Sequence, residues 1–211
     1  MFSVLLAGLG MGLFMSISVG PTIFAIIRYS LQSGWKAGIS FVIGVSLSDI
    51  LYVSLANSAS THLAKLMQHL NAIGYAGALV FIIMGILGLV KKVKINRHAN
   101  DDAKVPGKQY SKIALSGFLM NSLNPGVIIT WLSAVAAIAA FNTGERFTFF
   151  TACLSLILGF DLLKVLLAQR IRKQLTARTI LYLNRVSALC ILGMGIFMLI
   201  KTYLGIKIGG V

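Results

Sequence analysis

The sequence predicts an all-α membrane protein with six transmembrane helices. Of its 211 residues, 57% are hydrophobic and 11% are charged, and the charged share is less than half of the roughly 25% usual in soluble domains. The few charges are gathered between long apolar stretches, each of which reaches the roughly 20 residues that cross the hydrocarbon core. These stretches are residues 1–27, 37–61, 66–90, 113–144, 147–169 and 186–204, interrupted only by Asp49, Asp161, Lys164 and Lys201.

The net charge of +14 indicates membrane topology rather than nucleic-acid binding. The first, third and fifth connections hold two, seven and five Lys and Arg residues, counting Arg28 in the first. The other side of the membrane has four, namely Lys65, Arg146, Lys201 and Lys207. Basic residues are enriched in cytoplasmic loops. The count therefore predicts that the odd-numbered connections are cytoplasmic and that both termini are extracytoplasmic.

The chain is predicted to be a single integral membrane domain, residues 1–211, made of two halves. The first half covers about residues 1–90 and the second about 113–211, and between them lies a basic cytoplasmic loop, about 91–112, which contains Pro106 and Gly107 and is typical of a mobile connection. The first helix contains F-M-S-I-S-V-G-P and the fourth F-L-M-N-S-L-N-P, with Phe, Ser and Pro at matching positions. This echo predicts an inverted three-plus-three repeat with broken first and fourth helices.

The two prolines of this echo indicate a substrate site. Proline inside a helix removes a hydrogen bond and kinks or breaks the helix, and the freed polar groups must then face protein or a wet cavity. Transporters place substrate at such paired breaks. The predicted substrate-binding residues are Ser18, Gly20, Pro21, Thr22, Asp49, Asn121, Asn124 and Pro125. The alternative is that each proline only bends its helix for packing.

Three ionisable residues inside the spans are candidates for proton coupling. Asp49 is too deep to reach water and should face the bundle interior or a wet cavity, where it carries a proton or, alternatively, only ties helices together. Asp161 and Lys164 share a helix face and can pair, as a functional or a structural pair, although Lys164 can instead extend toward the interface. Because Asp49 and Asp161 lie in the second helix of each half, we hypothesise that both, with Pro21 and Pro125, face one central cavity.

No metal site and no cofactor are predicted. Cys153 and Cys190 lie far apart in apolar sequence without a C-x-x-C motif, which favours buried apolar roles. The histidines His62, His69 and His98 fall at loops or helix ends, where a solvated role is favoured. Trp131, within the fourth span, either lines a site or packs.

Small residues recur every fourth position on the first two helices. Gly8 and Gly12 form such a stripe on the first helix, and Ser40, Gly44 and Ser48 form one on the second. Stripes of this kind let helix backbones approach closely in lipid. They predict a compact bundle and carry no information on substrate.

Several segments resemble the LysE/RhtB-type amino-acid exporters over nearly the whole chain. They are S-V-G-P in the first helix, G-W-K-A-G and Asp49 in the second, G-F-L-M-N-S-L-N-P-G at residues 117–126, and L-N-R-V-S-A-L-C-I-L-G-M-G-I-F at 183–197. Where many members read P-G-P-N, this chain has Val19 and Thr22 in place of the first proline and the asparagine. The resemblance implies the family fold, an export direction and coupling to the proton gradient.

Together these features predict a multi-pass secondary transporter of the bacterial inner membrane. It would export a small zwitterionic metabolite, an amino acid or a derivative, and would not be an enzyme. Its partners would be that small molecule and the lipid bilayer, with no nucleic acid, and the sequence leaves homo-oligomer formation open. Two alternatives remain: a divalent-metal or redox-related transporter, although the spans lack a good ligand set, and a membrane-embedded enzyme or scaffold, although no intramembrane His accompanies a nucleophile.

Overall fold

The computed structural model describes residues 1–18, 20–58, 69–90 and 107–205, which form eight helices and contain no strand. The helices are α1 (Phe2–Ile17), α2 (Pro21–Ser33), α3 (Trp35–Ser58), α4 (Leu70–Val90), α5 (Gly107–Ser122), α6 (Pro125–Ala137), α7 (Thr143–Gln174) and α8 (Ala177–Tyr203). The predicted all-α membrane fold is confirmed.

Two of the predicted spans are broken helices. Four helices, α3, α4, α7 and α8, are each long and apolar enough to cross a membrane, and the pairs α1 with α2 and α5 with α6 pass the same test together. The first pair is bent by 68° and the second by 64°. With each bent pair counted as one span, the described residues reach the predicted six. Pro21 and Pro125 each occupy the first turn of the helix after the break, where proline loses no helical hydrogen bond.

Several helix ends differ from the sequence prediction. The structure begins α5 at Gly107, so the end of the predicted loop is helical, while residues 91–106 lie outside the described residues. The fifth connection shrinks to Leu175 and Thr176, because its basic residues continue α7 or belong to α8. Lys and Arg are good helix formers, and their long side chains can reach the interface from a helix end. A change from apolar to basic sequence therefore does not end a helix.

Arg28 is a further correction, since it belongs to α2 and not to the first connection. Its side chain is buried, and Nη1 donates a hydrogen bond to the carbonyl oxygen of Met84 in α4 at 3.0 Å. The positive charge counted as part of a cytoplasmic loop is thus inside the bundle. Without Arg28, the sequence still assigns thirteen Lys and Arg residues to the predicted cytoplasmic connections and four to the other side.

The first segment of each broken span packs on a helix of the opposite half. The helix α1 packs along α7, and α5 packs along α3, so the first segment of each broken span lies on the second span of the opposite half. The helices α4 and α8 pack on each other, as do α3 and α7. The first segments of the two broken spans thus make equivalent contacts, as expected of two halves related by an inverted repeat. The short helix α2 lies among α3, α7 and α8.

Glycines permit the closest of these crossings. A Cβ atom on Gly44 of α3 would overlap the backbone of Ala114 in α5, and one on Gly117 would overlap the carbonyl oxygen of Phe41. Gly8 and Gly12 of α1 lie in the same way against the backbone of α7. Both predicted stripes therefore contribute glycines to a crossing between the halves, which brings α3, α5 and the second helix break close together.

Candidate functional site

A cavity of about 330 Å³ lies beside both helix breaks. This volume is at the lower end of the usual range for small-molecule sites. The break between α1 and α2 contributes Ser18 and Gly20, and the break between α5 and α6 contributes Asn124 and Gly126. Long helices complete the wall with ionisable side chains, namely Asp49 of α3 and Asp161 and Lys164 of α7.

Asp49 is held by two donors from the two segments of one broken span. Its Oδ1 accepts hydrogen bonds from Nδ2 of Asn121 in α5 at 2.8 Å and from Nε1 of Trp131 in α6 at 3.0 Å. All three side chains are buried, with Asp49 4% exposed. A buried carboxylate is tolerated in a membrane protein when it is hydrogen-bonded or faces a polar cavity, and Asp49 has both.

A second set of hydrogen bonds fixes α5 where it ends. Ser122, the last residue of α5, donates from Oγ to Oγ of Ser48 at 2.9 Å, and its carbonyl oxygen accepts from the hydroxyl of Tyr52. The last carbonyls of a helix have no partner within that helix, and Tyr52 supplies one here. The break at Pro125 is therefore anchored to α3 close to Asp49.

Asp161 and Lys164 form an ion pair on α7. Nζ of Lys164 lies 2.7 Å from Oδ1 of Asp161, and the two side chains are 21% and 8% exposed. The lysine thus pairs with its neighbour, as one of the two sequence alternatives predicted. Asp161 and Asp49 both line the cavity. With all three groups ionised, the cavity carries one net negative charge.

The two helices that start at the cavity differ in their caps. The amide N–H of Gly126 in α6 donates to Oδ1 of Asn124 at 3.0 Å, so that helix supplies its own cap. The cap residue of α2 is Gly20, which has no side chain for this purpose. The first amides of a helix carry a partial positive charge. Of the two starts, that of α2 therefore offers more capacity for an anionic group.

Comparison with known families agrees with this architecture. A family model described as LysE type translocator matches residues 13–202. The chain belongs to this family. The matched region contains both helix breaks and every residue that lines the cavity. No solved structure matches the chain.

The family assigns the general activity of the molecule. LysE members are translocators rather than enzymes, so the chain is a membrane transporter. Its apolar helices place it in a membrane as a multi-pass protein.

The cavity of this LysE translocator brings together most of the residues selected from the sequence. Those that line it are Ser18, Gly20, Pro21, Thr22, Asp49, Asn121, Asn124, Asp161 and Lys164. Pro125 is buried at the start of α6, between the lining residues Asn124 and Gly126. Of the four positions expected to face one cavity, Pro21, Asp49 and Asp161 do so.

Sequence reasoning left the role of Trp131 open and missed Ser16 and Thr130. Trp131 contacts Asp49 directly, and Ser16 and Thr130 line the cavity. A buried tryptophan needs a partner for its N–H, and this was the available signal for Trp131. Both hydroxyls bond to the carbonyl four residues earlier in their own helices, a pattern that does not distinguish a wall residue from any other helical serine or threonine.

Among residues 1–18, 20–58, 69–90 and 107–205, no group of three or more His, Cys, Asp or Glu side chains is arranged to hold a metal ion. Cys153 is buried and Cys190 is partly buried. His69 lies in the turn before α4. The predictions for His62 and His98 concern positions outside the described residues.

Proposed function

We propose that this LysE translocator is a secondary active transporter that exports a small zwitterionic metabolite, an amino acid or a derivative, in exchange for protons. The observation that carries the proposal is a buried carboxylate, Asp49, in the wall of a small cavity beside two helix breaks. The bacterial inner membrane, predicted from the sequence, is the location this function requires.

The charges of the cavity match those of a zwitterion. Asp49 offers a carboxylate to the substrate ammonium group. The start of α2 at Gly20 has no side-chain cap, so the partial positive charge of this helix end is available to the substrate carboxylate. Lys164 offers a second positive charge, which its pairing with Asp161 keeps in place. A volume of about 330 Å³ restricts the solute to a small metabolite.

The hydrogen bonds of Asp49 support coupling to protons. Both Asn121 and Trp131 donate to Oδ1, so Oδ2 is the oxygen that a proton or an ammonium group can take. A proton and the substrate would then compete for one atom. Competition of this kind produces exchange, because proton binding releases the substrate and deprotonation lets the next substrate bind.

The exchange of contacts between the halves supports alternating access. Rocking of one repeat against the other around a central site is the usual mechanism in transporters with inverted repeats. In this molecule the rocking units would be the two halves, and the site would lie at the breaks that begin α2 and α6.

Transport by purified protein in proteoliposomes tests the proposal. Amino acids and related metabolites are first screened for thermal stabilisation of the protein in detergent, and each hit is then assayed for movement driven by an imposed pH gradient. We expect Asp49→Asn, which keeps the side-chain shape, to insert normally and to lose gradient-driven transport.

The matched control is Glu145→Gln, which changes a partly buried carboxylate outside the cavity, in the capping box of α7. It should keep the wild-type rate. Transport by Asn at position 49 at the wild-type rate under the same gradient would show that Asp49 does not couple the exchange.

A further inference from the structure

The second half of α2 carries buried polar groups that the cavity does not use. Pro21 and Thr22, at the start of α2, line the cavity. From there the helix rises about 10 Å to Arg28 and ends at Ser33, on the predicted cytoplasmic side. In the predicted orientation, this half of α2 lies on the cytoplasmic side of the cavity, packed among α3, α7 and α8.

On one side of α2, two polar atoms lack partners. Ser30 is fully buried, and its hydroxyl lies against Gly38 of α3, a position that also faces Val165 of α7. The hydroxyl has no hydrogen-bond partner. Gln169 lies one turn beyond Val165 on the same face of α7. Its side-chain oxygen is buried and also has no partner.

On the other side, Arg28 lies against α4 and α8. Its guanidinium group lies against Gly88 of α4, which also faces Ala188 of α8, and Nη1 donates to the carbonyl of Met84. Among the described residues, none of the three carboxylates pairs with it. Asn184, one turn before Ala188 on α8, is 2% exposed, and neither atom of its amide group has a partner.

These groups are costly in a single fixed packing. A buried polar group without a partner is destabilising, and a buried charge without a counter-ion is more so. A transporter, however, must open its site to each side in turn. A second arrangement, in which water or solute reaches these groups, would satisfy them.

The ends of α2 can accommodate such a movement. Gly20 precedes the helix and Gly34 follows it, and Gly34 has φ = 87°, a conformation that favours glycine. Hinges are residues at element ends that absorb changes in backbone angles. The helix thus has a glycine at each end, and the backbone at Gly34 is already in the left-handed region.

We propose that α2 from Arg28 to Ser33 closes a passage between the cavity and the cytoplasm, and that Arg28, Ser30, Gln169 and Asn184 line this passage when it opens. Arg28 makes the passage positive, so it attracts solutes with an anionic group such as a carboxylate. The inference rests on the proposed transport function and assigns the route by which its substrate reaches the cavity.

Cysteine accessibility tests the passage without requiring transport. The background is Cys153→Ala with Cys190→Ala, and Ser30→Cys introduces a near-isosteric thiol. Inside-out and right-side-out membrane vesicles are treated with membrane-impermeant methanethiosulfonates that carry a sulfonate or a trimethylammonium group, and modification is read by mass spectrometry. Ala78→Cys in α4 is the control, since Ala78 is equally buried but belongs to the apolar core.

We expect Ser30→Cys to react in inside-out vesicles and Ala78→Cys to remain unmodified. With each rate divided by that of the same reagent with a free thiol in solution, the sulfonate reagent should be favoured by about tenfold, because a positive charge lies nearby. Adding Arg28→Gln should remove this preference, and Arg28→Lys should retain it. The conservative lysine variant keeps the test valid should the glutamine variant fail to fold.

Three results would contradict the proposed passage. They are no reaction of Ser30→Cys, reaction only from the extracytoplasmic side, and equal reaction of Ala78→Cys. The transport proposal fails separately, in the proteoliposome assay. Labelling of Ser30→Cys from the cytoplasm without any measured export would support the passage and count against the proposed substrate class.

Discussion

At the scale of single residues, hydrogen bonds stabilise a carboxylate inside a membrane span. Asp49 is 4% exposed, and its Oδ1 takes hydrogen bonds from an amide and an indole. Hydrogen bonds to a charged group contribute about 1.5–3 kcal/mol each. Asn121 and Trp131 therefore stabilise the ionised state that the proposed exchange needs.

Removing one of these donors should slow transport. Trp131→Phe keeps most of the ring volume and deletes the N–H, so we expect a fall of about tenfold or more in the transport rate, since 1.4 kcal/mol corresponds to a factor of ten. The sequence contains two tryptophans, and Trp35→Phe at the start of α3 is the matched control. Equal rates for the two variants would show that the indole donor only packs.

The ion pair on α7 gives a second prediction at this scale. Asp161→Asn or Lys164→Met alone leaves a buried charge without its partner, which costs about 3–5 kcal/mol in well-buried pairs. Thermal unfolding in detergent should therefore show both single variants to be less stable than the wild type. The double variant, which carries neither charge, should regain most of the stability. A double variant as unstable as the single variants would contradict the pairing.

The same double variant separates a structural from a functional pair. A stable double variant that transports normally assigns the pair to the structure alone. A stable double variant without transport assigns it to the proposed site.

At the scale of helices, the sequence predicted the breaks better than the ends. Proline fixes φ and lacks an N–H, so Pro21 and Pro125 could be placed as starts of new helices from chemistry alone. The ends were misjudged because apolar sequence was used as the boundary. Arg28, Arg170 and Arg178 are helical, since a helix continues past the membrane boundary wherever its residues favour it.

The crossing of α3 and α5 allows a stability prediction. A methyl group on Gly44 would overlap the backbone of Ala114, and overpacking costs typically about 1–3 kcal/mol. Gly44→Ala should therefore lower the temperature of thermal unfolding in detergent. Gly159→Ala is the control, because a Cβ there meets nothing within 4 Å; it should leave the temperature unchanged or raise it. An unchanged unfolding temperature for Gly44→Ala would mean that α3 and α5 can move apart without loss of stability.

At the scale of the whole molecule, the site depends on contacts that no single segment encodes. In the sequence, Asp49 and Asn121 belong to different halves. Because α5 packs on α3 of the other half, Nδ2 of Asn121 lies 2.8 Å from Oδ1 of Asp49. The indole of Trp131 also donates to Asp49, because α6 is bent by 64° from the direction of α5. Composition and spacing predicted which residues are polar within the spans, whereas the helix packing decides which of them meet.

The overall orientation gives the last prediction. Six spans in two inverted halves require both termini on one side, and the distribution of basic residues predicts the extracytoplasmic side. In the cysteine-free background, Phe2→Cys and Tyr203→Cys at the two exposed ends should react with a membrane-impermeant maleimide in spheroplasts. Lys108→Cys at the start of α5 should react only after lysis, because the same distribution predicts that this residue is on the cytoplasmic side. Labelling of one terminus without the other would require an odd number of spans and would exclude the inverted repeat, since two halves of three spans cannot leave the chain ends on opposite sides.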